Sequence, residues 1–125
     1  MKISVILSLV LISGILVISG CGSENKDLKI DAKKIADVMC KSLETMKNLR
    51  TADPSDSLMV NKLQKEYKIV QSEMAILYQN FRTKYGEKAK SGKFNEDFRK
   101  YLNEAMLDCK SLSKEDREAF EKGSK

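Results

Sequence analysis

Residues 57–85 read SLMVNKLQKEYKIVQSEMAILYQNFRTKY, and within them Val60, Leu63, Tyr67, Val70, Met74, Leu77 and Phe81 recur at alternating steps of three and four. That spacing puts all seven on one side of an α-helix. Held over three heptads it is an a/d seam, which has to be covered by other helices. Ile69, Ile76, Tyr78 and Tyr85 widen the stripe. At about 1.5 Å per residue the helix is ~43 Å long. Gly86 comes directly after it, suited to the left-handed C′ position that ends a helix.

Upstream stands Thr51-Ala52-Asp53-Pro54-Ser55-Asp56, with the only proline of the chain. Pro54 pushes Asp53 out of the helical region, and Asp56 or Ser55 is placed to cap the next helix. Before this break, Ala32, Ile35, Met39, Leu43 and Met46 mark a first helix from about Asp31 to Leu49, with Asp31 as its N-cap and Cys40 at the edge of the stripe. Lys47 and Arg50 suit its C-terminal end.

Downstream, residues 87–93 are polar and read as a loop. A third helix is expected from Asn95 as N-cap, with Glu96 and Asp97 in its first turn and Phe94 folded back as a staple. Phe98, Leu102, Ala105, Cys109 and Leu112 form its stripe, flanked by Tyr101 and Met106. Ser113, with Asp116 three residues on, predicts a short fourth helix from Lys114 to about Glu121 carrying Ala119 and Phe120. Gly123, Ser124 and Lys125 are expected to fray. No β-like alternation and no internal repeat is found. The fold expected for 31–125 is all-α: an antiparallel three-helix bundle with a short fourth C-terminal helix.

The N-terminal part is of another kind. Lys2 precedes a run from Ile3 to Ile18 of only Ile, Val, Leu, Ser and Gly, as a secretory signal requires. Ile18-Ser19-Gly20-Cys21 closes it: an aliphatic residue, two small ones, then cysteine. This resembles the lipobox of bacterial lipoproteins. The resemblance covers the first 21 residues and none of the mature domain. It implies that residues 1–20 are a signal peptide, that Cys21 carries a diacylglycerol, and that its amino group is acylated after cleavage. The competing reading, an uncleaved span, meets a run of roughly 18 residues that is marginal for ~30 Å of hydrocarbon. Two or more acyl chains hold a protein on a bilayer where one does not. In enterobacterial lipoproteins an aspartate after the cysteine retains the protein at the inner membrane, so Gly22 favours the outer membrane. Residues 21–30, polar and short, read as a tether between lipid and domain.

Composition narrows the function. Of 23 basic and 18 acidic residues only Lys2 precedes Cys21, so the remainder carries +4. The charges are interleaved, as in Glu66, Lys68, Glu73 and Glu87, Lys88, which is the pattern of a solvated helical face. Nucleic-acid binding would need a one-sided patch with stacking aromatics; attraction to anionic headgroups is the more natural use of the excess. The chain has no His and no Trp. Ser-His-Asp and Cys-His catalysis are therefore excluded, and so is the commonest transition-metal ligand. No catalytic residue, cofactor site or metal site is assigned.

Cys40 and Cys109 are an even pair in an exported chain, which predicts a disulfide. In the expected bundle the first and third helices run parallel. The cysteines come level if the connection from Glu87 to Phe94 rises by roughly 8 Å, within its reach.

Other groups have a ligand reading and a packing reading. Tyr67, Tyr78, Phe81 and Tyr85 line a groove or, as helical spacing favours, fill the core. Met39, Met46, Met59, Met74 and Met106 make an adaptable surface or fill gaps. Glu96 with Asp97, and Asp116 with Glu118, resemble acid/base pairs but lie where first-turn capping explains them. Cys109 as a redox thiol lacks a CxxC partner. The expectation is a lipid-anchored, non-catalytic helical module of the envelope that binds another envelope protein. The alternative is an envelope enzyme or small-ligand carrier built on a carboxylate/tyrosine pocket.

Overall fold

In the computed structural model the residues described with their side chains are 25–124. The expected signal peptide (1–20) and Cys21 lie outside them. Four α-helices succeed one another: α1 (Lys2–Thr51), α2 (Ser57–Tyr85), α3 (Gly92–Met106) and α4 (Lys114–Gly123), with a 3-10 turn over Gly86–Lys90. The fold is the expected all-α bundle of three long helices and a short fourth.

Helix α2 has the bounds its stripe predicts. The carboxylate of Asp56 accepts the Met59 N–H at 3.0 Å, which satisfies one of the free donors of the first turn. Asp53 closes the turn before it, accepting from the Ser55 N–H at 2.9 Å and the Ser55 hydroxyl at 2.6 Å. Gly86 ends the helix at φ 45°, a region that costs a residue with a Cβ.

Helix α1 departs from expectation at its start. The expected tether is already helical from residue 25 on, and Leu28 in it is only 3% exposed. Asp31 is therefore mid-helix and not an N-cap. A single buried leucine among charged neighbours is a weak periodic signal, so the stripe marks a shorter helix than the chain forms.

Helix α1 is the centre of the bundle. Ala32, Ile35, Ala36 and Val38 are all buried, because α2 packs on one side of it and α3 on the other. Ion pairs give the antiparallel register of α1 and α2: Lys84 meets Asp31 at 2.7 Å and Lys41 meets Glu73 at 3.8 Å. Against α3, Lys29 lies over the Tyr101 ring at 5.9 Å and Cys40 joins Cys109, so α1 and α3 run parallel. The backbones of α2 and α3 do not come within 8 Å of each other. Large side chains bridge them instead. Phe81 of α2 meets Phe98 in a tilted contact with ring centres 4.6 Å apart, and Tyr85 meets Phe94 in another at 5.0 Å.

Helix α3 begins earlier and ends earlier than expected. Ser91, not Asn95, is its N-cap, its hydroxyl facing the Phe94 N–H at 3.5 Å. Glu96 and Asp97 thus sit beyond the first turn, and Phe94 packs across onto α2 and not back as a staple. The helix stops at Met106, and Cys109 stands in the next turn, its N–H bonded to the Met106 carbonyl at 2.9 Å. Helix α4 has the expected Ser113 cap, with the hydroxyl accepting from the Asp116 N–H at 3.1 Å and donating to the Asp116 carboxylate at 2.7 Å. Its end does not fray as expected: Gly123 is helical and faces the side-chain amide of Asn103 so closely that a Cβ there would displace it.

Candidate functional site

Three features beyond plain packing stand out: a polar cluster, an apolar cleft and an exposed apolar line. The polar cluster joins α1 to the end of α2. The Asp31 carboxylate accepts from Lys84 Nζ at 2.7 Å and from the Tyr85 hydroxyl at 2.9 Å, with Asp27 3.8 Å from Lys84 and Lys34 3.7 Å from Asp31. Burial alone would raise the Asp31 pKa; the bonds from Lys84 and Tyr85 and the charges of Lys84 and Lys34 outweigh it and leave the pKa below the usual aspartate value. Lys84 is held above its ordinary value, chiefly by its bond to Asp31. Tyr85 is raised by burial and by donating to Asp31. Beside the cluster lies a hollow of about 120 Å³, walled by Ile35, Leu77, Asn80 and Phe81.

The signs of these shifts set a pH window. Asp31's contribution to stability is complete above its unfolded pKa of about 3.9 and is lost as pH falls through the lower folded value. The contributions of Lys84 and Tyr85 are complete below about pH 10 and are lost as pH rises through their raised values. Stability is therefore expected to be flat in between and to fall at both ends. Tyr85→Phe removes one bond to a charged acceptor, and urea unfolding should show a loss of about 1–2 kcal/mol at neutral pH. The acid limb should also become shallower than in the wild type. An unchanged acid limb in Tyr85→Phe would mean that the Tyr85 bond does not hold Asp31 ionised.

The apolar cleft lies farther along the bundle, where α2 and α3 are apart. Met39, Ser42 and Leu43 of α1, Met74 of α2, Met106 of α3, Leu112, and Asp116 and Phe120 of α4 enclose about 250 Å³. Of the five methionines singled out in the sequence, Met39, Met74 and Met106 meet here; Met46 is half-buried elsewhere and Met59 is exposed. The cleft has no convergent charge, and the Asp116 carboxylate at its edge already accepts from the hydroxyl of the cap residue Ser113.

The aromatic group of α2 converges only in part: Phe81 and Tyr85 are in contact, ring centres 4.7 Å apart, while Tyr67 and Tyr78 stand apart. Tyr85 is buried in the polar cluster, Phe81 joins the aromatic bridge, Tyr67 is half-buried, and Tyr78 is exposed. Glu96 and Glu118 are exposed, and Asp97 is half-buried. Cys109 is in a disulfide with Cys40, with Cα atoms 5.6 Å apart, so it is not a free redox thiol. Among the described residues no three of His, Cys, Asp and Glu come together as a metal would need. Also among them, no helix is long and apolar enough to cross a membrane.

Two features escape a reading of the sequence. Arg117 of α4 reaches back to donate to the Leu107 carbonyl at 2.6 Å and the Cys109 carbonyl at 3.0 Å. It satisfies the open end of α3 and steadies the turn that bears Cys109. A lone arginine in a charged terminal helix gives no sign of this; its partners are backbone atoms.

The second is the exposed line on α2. Leu58, Ile69 and Ile76 are 83%, 60% and 59% exposed. At 100° per residue they point the same way, away from the seam. Ile69 and Ile76, expected to widen the stripe, are turned off the seam and largely exposed, with Ile69 at the edge of an open groove against Lys41, Glu44, Thr45 and Asn48 of α1. No family model, curated protein or solved structure matches this chain.

Proposed function

We propose that the chain is a lipid-anchored, non-catalytic module of the bacterial cell envelope that binds another envelope protein. The observation that carries this is Ile18-Ser19-Gly20-Cys21 at the end of the apolar run. It supports lipidation at Cys21 and so a life on a membrane surface, with Gly22 favouring the outer membrane. A protein partner is supported by the line Leu58, Ile69, Ile76. It runs ~27 Å along one helix, with Ile69 at the edge of an open groove against α1. A line of that length suits an apolar face of a second helix.

Besides a shallow, open hollow of about 410 Å³ lined by Lys29, Lys33, Tyr101, Glu104 and Asp108, the alternative carrier or enzyme would work from the Asp31–Tyr85 contact and the hollow beside it. That hollow is about 120 Å³, well under the ~300 Å³ of ordinary ligand pockets. Both side chains are already bonded to each other and to Lys84.

The anchor is tested by Cys21→Ala. Metabolic labelling with palmitate should disappear, and the precursor should accumulate or be released from membranes. Undiminished labelling of the variant would remove the basis of the proposal. The partner is tested by crosslinking in intact envelopes and then solubilisation, with Ile69→Asp and Ile76→Asp as variants. A crosslinked protein lost from both variants is the expected result; one retained by both would exclude this face.

A further inference from the structure

The charge of the domain is not spread evenly. From Arg82 to Lys93 the chain carries Arg82, Lys84, Lys88, Lys90 and Lys93 against Glu87 alone. That surplus of four matches the whole excess of the chain from Cys21 on. All five bases are exposed. Lys84 is offset by Asp31 and Asp27 of α1, and Lys90 by Glu87 at 2.8 Å, so the turn presents less positive charge in space than along the chain but keeps its positive sign. The turn at the other end of the bundle, residues 51–56, has Asp53 and Asp56 and no base.

The position of this basic turn is fixed by its contacts with α1. Lys84 lies 3.8 Å from Asp27 and 2.7 Å from Asp31, so the turn stands beside the first described residues of the chain. Asn25 is four residues from Cys21. Even fully extended, that stretch reaches at most about 14 Å. If Cys21 holds a lipid, the basic turn is kept within a short distance of the headgroups, and fields there persist over roughly 8–10 Å in physiological salt. Each lysine so placed adds attraction to an anionic leaflet.

We propose that the turn from Arg82 to Lys93 is a second membrane contact, a seat for the phosphate groups of anionic phospholipids. It rests on the lipid anchor at Cys21 and adds orientation to it. The described part of α1 then stands away from the bilayer for ~39 Å. Its far end, with the turn at 51–56 and Leu58, points into the aqueous space. The acyl chains alone fix one end of the chain near the lipid but not the tilt or roll of the domain; the basic turn chooses the side that faces the lipid.

The experiment takes the lipidated full chain, reconstituted into vesicles of phosphatidylcholine alone or vesicles rich in phosphatidylglycerol. Flotation with the phosphatidylcholine vesicles reports the anchor by itself. Lysine acylation read by mass spectrometry reports the seat. In phosphatidylglycerol vesicles Lys88, Lys90 and Lys93 should be protected about fivefold relative to phosphatidylcholine. The protection should vanish at about 1 M salt, where screening shortens to about 3 Å. Lys47, Lys62 and Lys110 should react equally in both. A variant with Lys88→Glu, Lys90→Glu and Lys93→Glu should float as before and lose the lipid dependence at Lys84. Equal reactivity of Lys88, Lys90 and Lys93 in both vesicle types, with flotation intact, overturns the seat and leaves the anchor standing. Failure to float on phosphatidylcholine overturns the anchor, and the seat with it.

Discussion

Reducing the Cys40–Cys109 bond should lower the melting temperature by about 15–30 °C. The bond closes a loop of 69 residues between two parallel elements. The loop-entropy relation gives ~4 kcal/mol for a closure of this size. A domain of about 100 residues loses roughly 4–8 °C for each kcal/mol. Total stabilities run near 5–15 kcal/mol, so this one bond is a large share. The structure adds a reason why the native state gains little from reduction. Cys109 is 4% exposed within the cluster of Ala36 and Met106, and Arg117 holds the Cys109 carbonyl, so the turn has its own supports in place. Circular dichroism melts with and without reductant should show the drop, and Cys40→Ser should melt where the reduced wild type does. Cys40→Ser should also be insensitive to reductant. A reduced protein melting within a few degrees of the oxidised one would show that packing around Met106, not the bond, restrains this end of the bundle.

The fold is legible because α2 carries its signal in repetition. Seven apolar residues at steps of three and four leave one register open, and Pro54 and Gly86 bound the element on both sides. The pairing of Cys40 with Cys109 comes from their being the even pair left in an exported chain; counting rise along parallel helices only shows that they can come level, and Cys109 in fact lies three residues past the end of α3. What fails to show is local and non-periodic. The N-terminal extension of α1 has only Leu28 as a buried apolar residue; its other contacts, Asp27 with Lys84 and Lys29 with Tyr101, are long-range. The start of α3 at Ser91 is hidden because Asn95 is as good a cap by chemistry, and only the 3-10 turn before Ser91 decides between them.

The two apolar faces of α2 are the instructive miss. Ile69 and Ile76 have the same composition signal as Val70 and Leu77, and each lies next to one of them in sequence. A one-residue offset rotates a side chain by 100°, and which neighbour faces inward depends on where α1 sits. The candidate surface is thus invisible until the central helix is known. The Asp31–Tyr85 bond is likewise beyond reach, because it joins residues 54 apart and Asp31 has an adequate local reading as a cap.

The second large effect is expected at Ile35. With Met106 it is one of the two large side chains buried almost completely. It lies on α1 facing Leu77 and Phe81 of α2. Ile35→Ala leaves a cavity on the central helix that neither neighbour can fill, since α2 is braced by the Asp31 bonds on one side and the aromatic bridge on the other. The cost should be about 2–5 kcal/mol. Leu77, which the sequence alone marks as an equal core position, is only half-buried and should cost less. Ile69→Ala, on the exposed line, should stay within about 0.5 kcal/mol. Urea unfolding measures all three, as a shift of midpoint at constant slope. Met106→Ala should rank with Ile35→Ala, but it differs in one respect. Met106 packs in the same cluster as the disulfide, so its loss and the loss of the Cys40–Cys109 bond should not add, whereas Ile35→Ala and Cys40→Ser should come closer to additive. If Ile35→Ala cost no more than Ile69→Ala, α1 would not be the helix on which the bundle is built.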